Sequence, residues 1–211
     1  VAIHWITFFA SGKISNPSTS LVGFATCSFW AALIEPLVKG KKIQLLEVGL
    51  GIVVLIGLVI ILTFDFQHPL GLLLGIISGL TAALFSVINS RLILRVNAYA
   101  ITFYEMAGAS IIILFFMSIG SVIGYMPLNL KATGMDWVYI AFMAWVCSVY
   151  AFLVSINLST RISVFFIQLA LNLEPVYGIV LALLVFGSEE VMNLNFYLGT
   201  LIILSAVVAY P

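Results

Sequence analysis

Long apolar runs separated by short polar stretches make up almost the whole chain. A helix needs about 20 apolar residues to cross the ~30 Å hydrocarbon core of a bilayer, so each run predicts a membrane-spanning helix. The sequence predicts eight spans, of which the first is too short to cross alone: Val1–Ala10, Ser18–Val38, Val48–Thr63, Leu70–Ile93, Tyr99–Met126, Trp137–Leu158, Ser163–Phe186 and Leu194–Tyr210. We therefore predict an all-α, polytopic membrane helix bundle.

An ungapped internal repeat organises these spans, because the stretch 1–63 recurs as 149–211. The matching motifs are Ser11-Gly12-Lys13-Ile14-Ser15 with Ser159-Thr160-Arg161-Ile162-Ser163, and Leu50-Gly51 with Leu198-Gly199. Five apolar segments separate equivalent points, so the second copy would enter the membrane from the opposite side. We predict two inverted five-helix repeats: residues 1–63 are the C-terminal part of the first, with three spans, and residues 64–211 form the second, with five. The spans that should precede the first are absent, so we expect a fragment of a ten-span protein.

Composition agrees with a membrane protein and excludes several other classes. Hydrophobic residues make up 64% of the chain and charged residues only 8%, whereas roughly a quarter of the residues in soluble domains are charged. The formal net charge is +0, so nothing favours a nucleic-acid partner. Cys27 and Cys147 lie in apolar runs without the spacing of a metal or redox site, and we predict no metal and no cofactor.

The basic residues assign the two faces of the membrane. Alternate loops place six of the eight Lys and Arg residues on one face, which are Lys39, Lys41, Lys42, Arg91, Arg95 and Arg161. Only Lys13 and Lys131 fall on the other face. Since cytoplasmic loops are rich in Lys and Arg, we predict that the first face and the C-terminus are cytoplasmic. A compact ten-helix chain without long soluble domains fits a bacterial inner membrane. Glu35 lies four residues before Lys39, so these two side chains are expected to form an ion pair at the end of a span.

Glu174 is the leading candidate for a functional group, because its position between Arg161 and Glu189 puts it near the middle of the membrane. Pro175 follows it and removes a backbone donor, which predicts a kink or hinge at that depth. Asn172 and Gln168 share a helical face with Pro175, while Glu174 projects about 160° away from Asn172. We expect substrate to bind near Glu174, Asn172 and Gln168. The alternative is that these groups only satisfy backbone carbonyls freed by the proline.

Two further ionisable residues lie within apolar runs. His4, beside Trp5, is a candidate substrate-binding residue or a proton partner of Glu174, and the alternative is a core histidine with one hydrogen bond. Glu105 is a second candidate for ion or proton coupling, and a hydrogen bond to a neighbouring helix explains it equally well.

Glycines at four-residue steps mark a helix surface that another helix can approach closely. Gly71, Gly75 and Gly79 form such a row in the fourth span. The row predicts tight helix packing and says little about a substrate.

The run Leu173-Glu174-Pro175, then Gly187-Ser188-Glu189, then Leu198-Gly199-Thr200-Leu201-Ile202-Ile203-Leu204 resembles the closing helices of EamA-type carriers of the drug/metabolite transporter superfamily. His4-Trp5 through Pro36, followed by Glu47 to Gly57, resembles the corresponding part of their first repeat. The resemblance implies a ten-helix, two-repeat carrier of small metabolites such as amino acids or organic cations. It also implies that the second, fourth, sixth and seventh spans line the path and that the third and eighth are peripheral.

The sequence thus predicts a secondary transporter, with a small-molecule metabolite and the lipid bilayer as its partners, that exports amino acids or amine-like compounds by alternating access. A non-transporting scaffold or regulatory bundle is the first alternative. A membrane-embedded enzyme is the second alternative, but the sequence lacks the cluster of acids and histidines that the active site of such an enzyme needs. A homodimer is possible, and the sequence does not decide it.

Overall fold

The computed structural model describes residues 1–15, 17–61, 69–124, 133–174, 177 and 194–210. Within these residues every regular element is a helix, as predicted. The elements are α1 (Ala2–Ile14), α2 (Pro17–Lys39), α3 (Leu45–Ile61), α4 (Pro69–Leu92), α5 (Ala98–Val122), α6 (Gly134–Phe142), a π-helical segment (Met143–Tyr150), α7 (Ala151–Leu158), α8 (Val164–Leu171) and α9 (Leu194–Val208). The predicted hinge at Pro175 lies outside the described residues, as do the loop residues Lys131 and Glu189.

Four of the described helices are long and apolar enough to cross a membrane, judged by length and composition. They are Thr19–Lys39, Pro69–Leu92, Ala98–Val122 and Gly134–Leu158. The stretches Leu45–Ile60 and Tyr197–Val208 are shorter apolar helices. Many large apolar side chains of α5 and of residues 134–150 are exposed, Phe115 and Trp145 among them. Large exposed apolar faces of this kind suit contact with lipid.

The chain forms two compact units. The larger comprises Ile3–Ile88 and Ile162–Pro211, and the smaller comprises Val1–Ala2 and Asn89–Arg161. The core of the larger unit is built from α2, α3, α4, α8 and α9, with Val54, Leu58, Phe165 and Ile203 almost completely buried. In the smaller unit, Ala98 and Ile101 of α5 pack with Ile156 of α7.

Two helix pairs in the larger unit run antiparallel. In the first pair, Glu35 near the end of α2 contacts Phe165 at the start of α8, and Ser28 contacts Asn172 just beyond the end of α8. In the second pair, Gly57 of α3 lies against the carbonyl of Gly199 in α9, and Glu47 at the start of α3 binds Tyr210 beyond the end of α9.

Side-chain caps begin three of the helices. Ser163 accepts a hydrogen bond from the Phe166 amide at the start of α8, and Asn97 accepts one from the Ala100 amide at the start of α5. Thr133 and Asp136 form a capping box at the start of α6. Such caps satisfy the free amides of a helix N-terminus, so they fix where these helices begin.

Candidate functional site

Gln168 and Asn172 form a buried polar layer with side chains from α2 and α4. The Gln168 amide nitrogen donates to Ser86 Oγ at 2.9 Å, and its amide oxygen accepts from Cys27 Sγ at 3.3 Å. The Asn172 amide nitrogen donates to Ser28 Oγ at 3.0 Å. Both amide residues are less than 5% exposed, at 3% and 4%. The predicted pair therefore lies together on one face of α8, and each member is bonded to a neighbouring helix.

Glu174 lies just beyond this layer, and its side chain is exposed. It makes no hydrogen bond or ion pair with another residue that the structure describes. Gln168 and Asn172 are buried against the α2 and α4 helices, whereas Glu174 is exposed. The structure thus separates a bonded amide layer from an accessible carboxylate.

His4 joins α1 to α4. Its Nδ1 lies 2.7 Å from Ser78 Oγ and 3.2 Å from the Ser78 carbonyl oxygen. The rings of Phe8, Phe24 and Phe85 surround the imidazole, with centroid distances of 6.2, 5.3 and 5.7 Å. Trp5, its neighbour in the chain, is partly buried. Within the described residues His4 thus has Ser78, and not Glu174, as its side-chain hydrogen-bond partner.

The glycine row of α4 faces α1 and α2. A Cβ atom built on Gly75 would lie 3.0 Å from the Gly23 Cα atom, and one built on Gly79 would lie 2.5 Å from Thr26 Oγ1. Gly71 lies against Ser15, and its carbonyl accepts a hydrogen bond of 2.6 Å from Ser11 Oγ. The backbones approach closely here because no side chain intervenes.

Glu105 belongs to the smaller unit. Its carboxylate accepts a hydrogen bond of 2.9 Å from the Asn89 amide nitrogen, so a bond to a neighbouring helix is present at this position.

Glu35 joins two helix ends in the larger unit. It forms the ion pair with Lys39 at 2.6 Å that the spacing predicts. Its second oxygen accepts a hydrogen bond of 2.9 Å from the Phe165 amide, so it also caps α8. The positive end of a helix dipole favours a carboxylate at this place. The ion pair follows from local spacing, whereas the cap depends on a residue far along the chain.

Glu47 and Tyr210 form a second contact that sequence reasoning did not find. Tyr210 Oη donates to Glu47 at 3.0 Å and lies 3.0 Å from Ser163 Oγ. Its ring stacks on Phe166. Glu47 is only 5% exposed. These contacts connect α3, α8 and the segment after α9.

The model of the EamA-like transporter family matches residues 69–210, about two thirds of the chain. The chain belongs to the EamA-like transporter family. With the apolar helices, this membership identifies an integral membrane protein and points to a transporter and not to an enzyme. The resemblance found in the sequence is thereby confirmed.

This EamA-like chain also shares its fold with a solved structure described only as "Crystal structure of protein". The TM-score is 0.79 at 15% sequence identity, and the match covers 97% of this chain and 70% of that chain. At that identity the likeness concerns the fold alone. No curated protein matches the chain.

Proposed function

We propose that this EamA-like protein is a secondary carrier that exports small metabolites, amino acids or amine-like compounds, by alternating access. Such carriers are commonly built from inverted repeats that rock about a site near the bilayer midplane. Two features support the proposal. The first is the pairing of helices that are equivalent in the two repeats, and the second is the buried polar layer beside an accessible carboxylate.

The pairing of α2 with α8 agrees with an inverted repeat. Thr26 and Glu174 are equivalent positions in the two copies. Ser28 follows Thr26 by the same number of residues as its partner Asn172 precedes Glu174. In the same way, Glu35 follows Thr26 by the same number of residues as its partner Phe165 precedes Glu174. Each helix therefore meets the other in mirrored register, as a two-fold axis passing near this pair requires.

The pairing of α3 with α9 gives the same result independently. Val54 and Ile202 are equivalent positions, and Gly57 lies as far after Val54 as Gly199 lies before Ile202. The contact between Glu47 and Tyr210 departs from this register by one residue. Since both pairs are antiparallel and nearly symmetric, they support two repeats of opposite orientation in the membrane.

The observation that carries the choice of site is the exposed Glu174 next to buried Gln168 and Asn172. An ionised group at mid-membrane is unstable in hydrocarbon and needs water, a cation or a protein partner. We therefore assign the transport path to the side on which Glu174 is exposed, just beyond the end of α8. A carboxylate there suits an ammonium group. The amides of Gln168 and Asn172 supply neutral hydrogen-bonding groups, which change partners when the helices move.

The inferred orientation places Arg161, Lys39 and Glu35 at the cytoplasmic end, and the C-terminus on the same side of a bacterial inner membrane. The contacts of Glu35 with Phe165 and of Glu47 with Tyr210 lie at that end. They hold α2, α3 and α8 together there, so a cycle of alternating access must loosen them in the inward-open state.

The test is uptake and efflux of a panel of amino acids and amines by the full-length protein in vesicles, at several external pH values. Glu174→Gln is compared with Asp136→Asn, which likewise replaces a carboxylate by the corresponding amide, but at an exposed helix cap. We expect the wild type and Asp136→Asn to move at least one compound and Glu174→Gln to lose the pH-driven part. If nothing on a broad panel moves and Glu174→Gln changes only thermal stability, the carrier proposal fails and the scaffold is favoured.

A further inference from the structure

Glu105 differs from the two buried carboxylates of the larger unit. Glu35 has Lys39 as its counter-ion, and Glu47 has the Tyr210 hydroxyl. Glu105 has the Asn89 amide as its hydrogen-bond partner. Among the described residues it forms no ion pair, not even with the Val1 amino group. A carboxylate within an apolar helix bundle is costly without a compensating positive charge.

Two oxygen atoms near Glu105 are buried and unpartnered. Asn89 and Thr102 are each 3% exposed, and neither Asn89 Oδ1 nor Thr102 Oγ1 has a hydrogen-bond partner in the part of the chain that the structure describes. A threonine hydroxyl inside a helix commonly bonds to a backbone carbonyl one turn earlier, as Thr81 does with the carbonyls of Ile77 and Ser78. Thr102 therefore lacks even the usual local bond, and an unpaired buried hydroxyl destabilises the protein.

Thr102 and Glu105 lie on one face of α5. They are three residues apart, which places their side chains next to each other on a helix surface. Asn89 reaches Glu105 from the end of α4 across a 2.9 Å hydrogen bond. The side chains of Asn89, Thr102 and Glu105 are therefore neighbours between the cytoplasmic ends of α4 and α5, about 10 Å along α5 from its first residue.

We propose that Asn89, Thr102 and Glu105 form a binding site for a monovalent cation, with Na⁺ as the ion that fits best. Hard cations take oxygen ligands, and the number of charged ligands sets which ion is favoured. One carboxylate with two neutral oxygens balances a single positive charge, whereas Mg²⁺ and Ca²⁺ sites use more carboxylates or phosphates. Glu105 is partly exposed while Asn89 and Thr102 are buried behind it, so an ion can enter past the carboxylate.

The site deepens the proposed function, since in a carrier it would supply a coupling ion. Its binding properties do not depend on transport. Without the ion, the Asn89 amide nitrogen donates to the carboxylate; with it, Asn89 turns its oxygen toward the ion, because the amide oxygen and nitrogen exchange places by a rotation of the side chain. Ion binding therefore gives Asn89 Oδ1 and Thr102 Oγ1 a partner, and in exchange the Asn89 amide nitrogen gives up its bond to Glu105.

The experiment measures ²²Na⁺ binding and thermal unfolding of the purified full-length protein at constant ionic strength in NaCl, KCl or choline chloride. The variants are Thr102→Val, Thr102→Ser and Glu105→Gln. Thr81→Val is the matched control, because it removes a hydroxyl that already has partners. The Thr→Val and Glu→Gln changes are close to isosteric, whereas Thr102→Ser keeps the hydroxyl and removes one methyl group.

We expect saturable ²²Na⁺ binding and a higher unfolding temperature in NaCl than in KCl or choline chloride. Thr102→Val should weaken Na⁺ affinity at least about tenfold and Glu105→Gln at least about a hundredfold, since the charged ligand contributes most. Thr102→Ser and Thr81→Val should bind like wild type. Thr102→Val should also unfold at a higher temperature than wild type without Na⁺, because it removes an unpaired hydroxyl, whereas a threonine whose hydroxyl makes a structural hydrogen bond would give the opposite result.

Equal unfolding temperatures in the three salts would overturn the inference, as would unchanged Na⁺ affinity in Thr102→Val and Glu105→Gln. Because binding is measured at equilibrium, Na⁺ binding without any transport would leave the site standing while the carrier proposal failed. Transport without Na⁺ binding would leave the carrier proposal standing while the cation site failed.

Discussion

The Tyr210 hydroxyl donates a hydrogen bond of 3.0 Å to the carboxylate of Glu47, which lies 163 residues earlier in the chain. The same hydroxyl lies 3.0 Å from Ser163 Oγ, and Ser163 caps α8. One phenol therefore links the start of α3, the start of α8 and the segment after α9. In the proposed orientation this contact lies at the cytoplasmic end of the larger unit.

Tyr210→Phe should lower the free energy of unfolding by about 1–3 kcal/mol, because it leaves the buried Glu47 carboxylate without its hydrogen-bond donor. Tyr99→Phe is the control, since Tyr99 is 75% exposed. Chemical unfolding in detergent, followed by tryptophan fluorescence, measures both. Equal effects of the two substitutions would show that the Tyr210 contact contributes nothing to stability.

Substitutions at Glu35 should separate its two contacts. Glu35→Gln loses the charge that pairs with Lys39 but keeps an oxygen for the Phe165 amide, whereas Glu35→Ala loses both. We therefore expect Glu35→Ala to be less stable than Glu35→Gln by about 1 kcal/mol, the usual contribution of a helix cap. The same unfolding measurement decides it, and identical stabilities of the two variants would contradict the cap on α8.

The close contact of α2 with α4 predicts a strong dependence on side-chain size. A Cβ atom at Gly23 would lie 2.5 Å from the Gly75 Cα atom, so Gly23→Ala should destabilise the protein by about 1–3 kcal/mol through overpacking. Gly49→Ala in α3 meets nothing within 4 Å and should raise stability by about 0.5–1 kcal/mol, as alanine does within a helix. A Gly23→Ala protein as stable as Gly49→Ala would mean that the two backbones do not touch.

Cysteine labelling should establish the orientation in the membrane. Lys41→Cys and Lys13→Cys, each in a Cys27→Ser/Cys147→Ser background, put single thiols at exposed positions on the two predicted faces. A membrane-impermeant maleimide should label Lys41→Cys in inside-out vesicles and Lys13→Cys in right-side-out vesicles, because basic loops stay in the cytoplasm. The reverse pattern would invert the proposed orientation.

Local spacing predicted part of this structure well. The separation of Glu35 and Lys39 by one helical turn predicted their ion pair. The helical period predicted that Gln168 and Asn172 share a face of their helix, and both are buried against neighbouring helices. The partners of these side chains could not be predicted, because Ser28, Ser86 and Phe165 reach them only through tertiary packing.

Hydropathy also misjudged the length of the first helix. The apolar run predicts an end at Ala10, whereas α1 continues to Ile14. Ser11 lies in the added turn, and it is buried because its hydroxyl bonds to the Gly71 carbonyl. Ser15, just past the end, bonds to the Ser11 carbonyl. A polar residue whose hydrogen bond is made by a neighbouring helix does not end a span, and a single sequence does not show that neighbour.

The central claim is that Glu174 lies on a path that opens to each side of the membrane in turn. The most direct measurement is labelling of Glu174→Cys, in the Cys27→Ser/Cys147→Ser background, by an impermeant methanethiosulfonate in vesicles of both orientations. Ile111→Cys is the control, because Ile111 is 68% exposed on the apolar face of α5 and is expected to face lipid. Labelling of Glu174→Cys from both sides, with no labelling of Ile111→Cys, is the predicted result. Labelling of Glu174→Cys from neither side, or from one side only, would contradict alternating access at this residue.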